Sequence, residues 1–493
     1  MTNWMKKLAL HYEQTRRRHP HENLMILFDI DGTILDMRFM ILQVLKSYDT
    51  HHATDFFSSL TLDGITVHEN QIETLLEMLQ IPKKHHDSIL AWYRANRWSS
   101  DAILGSHQPF TGVMEVIRWF QLQPDTFVGL NTGRPEDIRD DTLCSLNALG
   151  REYKTRFRSD LLHMNPYGWE QQVTNCKAAG VDFFRNIGYH VFAVVDNEPD
   201  NLDAIARRDP GQEILLLHAD TIFESARRVL PAGSVSGRRY DLTDLIPERA
   251  LPRHIQFVWH GVNDEYNLRQ FLASNVRWAE LDVRMDPDGD DIILRHDSFA
   301  ETPLDEEEEL VYLRDVLEPI RAHGKSVKLD FKEDGALVDQ ALDLVKIHAF
   351  EDARLWFNGN ADLLGEDGFA VLHRAHPSAI FQCPVDHLTH LIPLDPGTVA
   401  DELDRFCSWG ITRFSVRWER ERLKEVIDWM DTAGHEMNIY NVPDLEAFLK
   451  TVLLMPRSIT ADFNFPKWHY FGRGSGQRHQ HYEYSVTKGP LMI

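Results

Sequence analysis

The chain has 493 residues and a formal charge of −24, from 76 acidic against 52 basic side chains. That length holds two or three domains with real cores. The charge speaks against a nucleic-acid or anionic-membrane partner, because phosphate backbones are bound by basic surfaces; it leaves room for a small phosphorylated substrate, since bound metal ions supply positive charge locally.

Cys144, Cys176, Cys383 and Cys407 show no CxxC spacing, and the expectation is a reduced, cytoplasmic protein rather than a disulfide scaffold. The opening stretch, MTNWMKKLALHYEQTRRRHP, has an apolar run of only three residues, too short for a signal peptide. It reads as an amphipathic surface helix, with TRRRH as a solvated face. No apolar stretch reaches about 18 residues, so no membrane span is expected. Oligomeric state leaves no mark in the sequence.

LMILFD (24–29), FVGLNTG (127–133), HVFAVVDN (190–197) and EILLLHA (213–219) are short apolar runs bounded by polar residues, as buried parallel strands are. Between the first two, FMILQVLKSY, QIETLLEMLQI and SILAWYRANRW space their apolar residues at the helical period. An insertion of this size after the first strand predicts a helical cap over about 37–108. The stretch 232–254, AGSVSGRRYDLTDLIPERALPRH, is rich in Gly, Pro and charge and reads as a linker.

In an open α/β sheet, ligands sit at the carboxyl ends of the strands. There the sequence places Asp29 and Asp31 in DIDGT, Asn131 and Thr132 in NTGRP, and Asp196 in DNEPD. A carboxylate attacking a phosphoryl group must escape repulsion from the phosphate oxygens. A divalent cation held by several carboxylates achieves this, and Mg2+ takes oxygen ligands; Asp29, Asp31 and Asp196 are the candidate ligands. Asp29 is the candidate nucleophile, forming an aspartyl-phosphate. Asp31 is placed to protonate the leaving oxygen and later to deprotonate water. Thr132 would donate to a phosphate oxygen, Lys177 would neutralise charge on it, and Asn131 is a candidate substrate contact.

This set resembles the haloacid dehalogenase superfamily. DIDGT matches its first motif, Thr132 its second, Lys177 in NCKAAG its third, and Asp196 with Asp200 in DNEPD its fourth. Lys154 is the alternative for the third. The resemblance covers roughly residues 20–230. It implies a doubly wound, Rossmann-like α/β core over 1–231 with a cap that reads the substrate, and a Mg2+-dependent phosphomonoesterase.

Further along, strand candidates fall near 255–260, 278–284, 291–296, 326–332, 354–358, 379–383, 411–417, 436–441 and 458–463. If the third is a hairpin arm after DPDGDD, eight remain, the count and order of a TIM-like (β/α)8 barrel over 255–493. DPDGDD itself reads as a turn rather than a calcium loop. Strand ends carry His260 and Asn263 (FVWHGVN), Glu280 and Asp282 (WAELDVR), His296 (ILRHD), and Lys328, Asp330 and Lys332 (VKLDFK). Residues two apart in a strand share a face. If that face is the barrel interior, Glu280, Asp282 and Asp330 converge on one divalent cation, Mg2+ or Ca2+, and His260 and His296 serve as acid and base.

The ordered set H…ExD…HD…DxK resembles the glycerophosphodiester phosphodiesterase superfamily of barrels. HGVN departs from that family's usual His-Arg-Gly and is similar to the His-x-x-Asn of the venom-type phospholipases D and the menorin family; VKLDFK and LWFNGNAD look menorin-like. The resemblance spans about 255–465. It implies a metal-assisted phosphodiesterase, with Asn263 at the substrate and Arg417, Lys328 or Lys332 in place of the missing arginine. The menorin likeness leaves a second reading open, a barrel kept as a non-catalytic binding module. A diesterase releases a monoester, so the halves are expected to act in sequence on a small phosphodiester or lipid head group. In the tail, Asp462 is placed to enter the barrel site and GRGSG reads as a surface loop. His469, His479 and His481 read as surface residues rather than metal ligands, and Trp468 and Tyr470 as packing residues.

Overall fold

A computed structural model describes residues 4–168, 171–221, 229–247, 250–304, 308–419 and 422–462, and the short strands Gly472–Gly474 and Tyr482–Tyr484. Trp468, His469, Tyr470, His479 and His481 lie outside the described residues. The chain divides into two compact units, Met1–Ile246 and Pro247–Ile493.

In the first unit, β1 (Asn23–Phe28), β2 (Thr126–Pro135), β3 (Leu162–Asn165), β4 (Tyr189–Asp196), β5 (Leu215–Ala219) and β6 (Val235–Gly237) form one sheet in the order β3-β2-β1-β4-β5-β6. Every pair is parallel. Runs such as NLMILF of β1 are apolar on both faces because helices cover both. On one face, Met25 and Leu27 pack with Val181 and Phe184 of the helix Val173–Asn186 and with Leu202 of the helix Pro199–Ala206. On the other, Phe192 of β4 meets Tyr12 of the helix Trp4–Arg18 and Phe120 of the helix Val113–Leu122, with ring centroids 5.4 and 5.9 Å apart.

Between β1 and β2 lie the helices Arg38–His52, Ile72–Met78, His86–Asn96 and Ser100–Ser106. This excursion leaves and returns at a hydrogen-bonded neck, where the Asp36 amide donates to the Gln108 carbonyl (2.9 Å). The short strands β3 and β6 are absent from the sequence-based expectation. The stretch 232–254, expected as a linker, supplies β6 and a helical turn, Leu242–Leu245, to the first unit. Its YDLTDLI segment buries Tyr240, Leu242, Leu245 and Ile246, an apolar spacing hidden among Gly, Pro and charge. Tyr240 Oη donates to the Thr33 carbonyl (2.9 Å), so this segment braces the turn after β1.

In the second unit, β7 (Gln256–Trp259), β8 (Trp278–Met285), β10 (Ser326–Phe331), β11 (Leu355–Gly359), β12 (Ile380–Pro384), β13 (Arg413–Arg417), β14 (Glu436–Val442) and β15 (Ser458–Ala461) are parallel and pair in chain order. The β8–β10 and β15–β7 pairings close them into an eight-stranded barrel. A ninth strand of the same sheet, β9 (Ile292–Leu294), is the expected hairpin arm, antiparallel to β8. The Asp286 carboxylate accepts from the Asp290 and Asp291 amides (2.8 and 3.3 Å), so DPDGDD is a turn that binds its own backbone. No helix among the described residues is long and apolar enough to cross a membrane.

Candidate functional site

The order of the first sheet reverses beside β1, and the carboxyl ends of β1 and β4 open on a cavity of about 300 Å³. On its floor the Lys177 ammonium stands between two buried carboxylates, 2.5 Å from Asp29 Oδ1 and 2.7 Å from Asp196 Oδ2. Lys177 comes from the second turn of the helix Val173–Asn186, whose first turn also faces the cavity through Val173 and Thr174. The free amides of such a terminus favour an anion. Burial pushes the Asp29 carboxyl up, and Asp196 and Asp31 add to this against the pull of Lys177, leaving it at about 8. Burial alone would lower the lysine, but Asp196 and Asp29 hold it above its ordinary value. Lys154 ends the short helix Arg151–Tyr153 and does not line the cavity.

Asp31 is gripped by Arg134, a residue the motif reading missed. Arg134 Nη2 lies 2.6 Å from Asp31 Oδ1, and Nε lies 2.8 Å from Oδ2. Burial raises the Asp31 carboxyl, yet Arg134 outweighs it and leaves the group below its ordinary value. Arg134 is itself fixed by Thr142 Oγ1 (3.1 Å), His107 Nε2 (3.3 Å) and the ring of Trp98, 5.2 Å from its guanidinium carbon.

Two expected contacts take other positions. Thr132 is fully buried, its hydroxyl accepts from the Arg134 amide (3.2 Å), and Gly133 and Arg134 line the cavity in its place. Asn131 was expected to touch substrate. Its amide instead donates to the Lys177 carbonyl (2.8 Å) and its oxygen meets His163 Nδ1 (3.2 Å), so it holds the lysine-bearing helix. The helical excursion adds His68, Glu69, Asn70 and Trp98 to the lining. His68 Nε2 lies 3.1 Å from Glu198 and 3.3 Å from Glu69, tying the excursion to the loop after β4. Burial lowers His68, but the bond to Glu198 more than offsets it. The only sequence signal for this group is the polar run HEN between apolar helices.

The carboxylates expected to share a cation are largely committed. Asp31 holds Arg134, and Asp196 takes Lys177, the Glu198 amide (2.8 Å) and Asn201 Nδ2 (3.0 Å). A different oxygen set remains. One end of the Asn197 amide lies 3.3 Å from Asp29 Oδ2 and 3.2 Å from the Asp31 carbonyl. Turned one way, its nitrogen donates to both; turned the other, three oxygens face one another. Such a triad suits a hard cation such as Mg2+. The carboxylates of Asp29, Asp31, Glu69, Glu198 and Asp200 also outnumber Lys177, Arg134 and His68 around the cavity, so a phosphate entering it needs added positive charge.

In the barrel, His260, Glu280, His296, Lys328, Asp330, Lys332 and Arg417 line one cavity of about 610 Å³ at the strand ends. Nδ1 of His260 pairs with Asp462, which leaves Nε2 toward the cavity and 4.0 Å from Glu280 Oε2. Burial lowers His260, but Asp462 and Glu280 raise it to about 9. His296 Nδ1 meets Asp297 at 2.7 Å. Arg417 Nε donates to Tyr440 Oη (3.2 Å), and Tyr440 donates to Asp386 (2.6 Å).

The three barrel carboxylates do not meet one another freely. Lys328 lies 3.0 Å from Glu280 Oε1, and Lys332 lies 2.9 Å from Asp282 and 2.5 Å from Asp330. Asn263, expected at the substrate, spends both ends of its side chain on Asp282 instead. Its Nδ2 donates to Oδ2 (2.6 Å) and its Oδ1 accepts from the Asp282 amide (3.0 Å); neither residue lines the cavity. Asp330 accepts from Asn358 (2.6 Å), whose oxygen accepts from Gln382 (2.6 Å), a ladder with one residue from each of three neighbouring strands. Burial opposes ionisation of both aspartates; Lys332 holds Asp282 well below the ordinary range, while Asp330, beside Asp282 and Glu280, stays above it. Glu280 Oε2 is buried without a hydrogen-bond partner. The expected divalent cation therefore does not fit this arrangement without displacing the Lys332 ammonium.

No protein-family model matches the chain, and no curated protein matches it. Among solved structures it is similar to a putative glycerophosphodiester phosphodiesterase from Galdieria sulphuraria, with 18% identity over 44% of this chain and 96% of that one and a TM-score of 0.33. It is similar to an Oleispira antarctica phosphodiesterase in complex with the product sn-glycerol-3-phosphate, with 17% identity over 44% and 94% and a TM-score of 0.34. A putative phosphoglycolate phosphatase from Lactobacillus plantarum is also similar, with 11% identity over 40% and 86% and a TM-score of 0.25.

Proposed function

We propose that the first unit hydrolyses phosphomonoesters with Asp29 as nucleophile, in the manner of haloacid dehalogenase-type phosphatases. The observation that carries this reading is Lys177 held between Asp29 and Asp196 at two adjacent strand ends, on the floor of the cavity there. Asp29 attacks phosphorus and the leaving oxygen departs with the bonding pair. Water then attacks the phosphorus of the aspartyl-phosphate, releasing inorganic phosphate and restoring the carboxylate. Lys177 offsets charge on the transferring oxygens. Asp31, kept ionised by Arg134, is suited to take the proton from that water; giving one to the leaving oxygen requires Arg134 to loosen its grip. Asp29, the Asp31 carbonyl and Asn197 would hold Mg2+, which when bound supplies the positive charge this acidic cavity needs. Asp29→Asn is expected to lower turnover of an aryl phosphate by about three orders of magnitude or more, with an unchanged circular dichroism spectrum. Wild-type turnover in that variant would overturn the reading.

For the barrel we propose a phosphodiester site, with His260 as acid, His296 as base and Lys332 and Arg417 facing the phosphate. The second reading, a binding module without chemistry, is supported by the lysine pairing, which engages Glu280, Asp282 and Asp330 inside the protein. A diester panel separates the two: ligand binding with chelator present and no hydrolysis selects the module.

A further inference from the structure

At the end of the first sheet opposite Asp29, His19, Glu22 and His190 come together. His19 follows the helix Trp4–Arg18, Glu22 precedes β1, and His190 is the second residue of β4, in register with Leu24. β1 is six residues long. At about 3.3 Å per residue the cluster stands roughly 20 Å from the phosphatase site, and the chemistry proposed there does not use it.

Both imidazoles turn Nδ1 to one carboxylate. His19 Nδ1 lies 2.7 Å from Glu22 Oε1, and His190 Nδ1 lies 2.8 Å from Glu22 Oε2. Their ring centroids are 4.2 Å apart. Among the described residues, this is the one trio of His, Cys, Asp or Glu whose ligand atoms all lie within 4.8 Å of one another. The turn that carries two of them is pinned from behind, where Arg16 donates to the carbonyls of His19 (3.4 Å) and Glu22 (2.9 Å). The side chains keep 30%, 51% and 15% of their surface for His19, Glu22 and His190, so the outer side of the trio faces solvent.

As an ion-pair cluster this arrangement is uneconomical, because one carboxylate balances one charge and two imidazoliums so close repel each other. As a ligand set it is coherent. Two neutral imidazole nitrogens and a carboxylate oxygen are a borderline-soft set, and ligand atoms around a tetrahedral zinc stand roughly 3.4 Å apart at bond lengths of about 2.1 Å. The ligand atoms of the trio lie within 4.8 Å of one another. We propose that His19, Glu22 and His190 bind a borderline transition-metal cation, Zn2+ above all, with the remaining coordination position open to solvent. The nitrogen ligands distinguish it from the oxygen-lined site at Asp29, which favours Mg2+.

The test uses the tag-free, full-length protein in millimolar Mg2+, so that oxygen sites are filled, and titrates Zn2+ against a chromophoric indicator. One Zn2+ per chain is expected. The affinity should fall about 100-fold or more in a His19→Ala, His190→Ala double variant and about tenfold in Glu22→Gln. Wild-type affinity in the folded double variant overturns the proposal, as does failure of the unaltered protein to take up Zn2+. If the double variant does not fold, Glu22→Gln decides, since an unchanged Zn2+ affinity there is equally fatal. Aryl phosphatase activity is expected to survive in these variants, which keeps this test separate from that of Asp29.

Discussion

His107 shows how far the chemistry at Asp31 depends on a residue that does not touch it. Its Nδ1 meets Ser145 Oγ (2.8 Å), and its Nε2 faces Arg134 Nη2 (3.3 Å). Arg134 has only donors, so Nε2 must accept and the ring must be neutral. Burial, with Arg134 beside it, pushes His107 down to about 3. The ordinary value is about 6.5. A depressed histidine contributes stability that is present above the unfolded value and lost as the pH falls through the folded one. The first unit should therefore lose stability between about pH 6.5 and 3, by up to about 1.4 kcal/mol per pH unit from this group. His107→Gln should flatten that slope in denaturant unfolding followed at several pH values; an identical slope in the variant would remove His107 as its source. At this scale, the motif residues Asp29, Asp31, Lys177 and Asp196 are legible in the sequence; the first three line one cavity, and Asp196 is buried against Lys177. Arg134 and His107 are not legible, because nothing in the local pattern marks an arginine two residues past a strand threonine as the partner of a carboxylate 103 positions earlier.

At the scale of elements, the turn after β1 is tightly constrained. Gly32 has φ +76°, and a Cβ there would stand 2.4 Å from Asn197 Nδ2 and 2.9 Å from its Cγ. Both the backbone and the neighbouring loop thus require glycine. Gly32→Ala is expected to cost about 1–3 kcal/mol in unfolding free energy. It should also lower aryl phosphatase activity by displacing Asn197 from Asp29, and full activity with unchanged stability would show that the turn yields easily. The barrel strands are readable from their period and spacing, and so is the hairpin that removes β9 from the count. β3 and β6 are not, since strands of four and three residues carrying His, Asn or Gly lack a run long enough to register.

At the scale of the molecule, the diester site and the monoester site proposed for the two units would act in consecutive steps. If so, wild-type protein should release inorganic phosphate from a small phosphodiester. Asp29→Asn should accumulate the monoester, and His260→Ala should leave the diester intact. A phosphate assay with chromatography of the organic products reads all three. Phosphate release by His260→Ala at the wild-type rate would end the proposal, whereas no release by any form, with monoesters still hydrolysed, would leave the barrel as a binding module.

The sequence by itself determined the two-part division, the parallel strands with their helical excursion, the eight barrel strands and the carboxylates, lysines and histidines at their ends. These follow from period, length and burial cost, which act within a few residues of each other. Only the tertiary structure decided the partners. It assigned Asn131 and Asn263 to holding neighbouring groups, gave Asp31 to Arg134, set Lys332 between Asp282 and Asp330, and brought His19 and Glu22 against His190. Buried charges must be matched atom by atom in a low-dielectric interior, and those matches join residues whose separation along the chain carries no pattern.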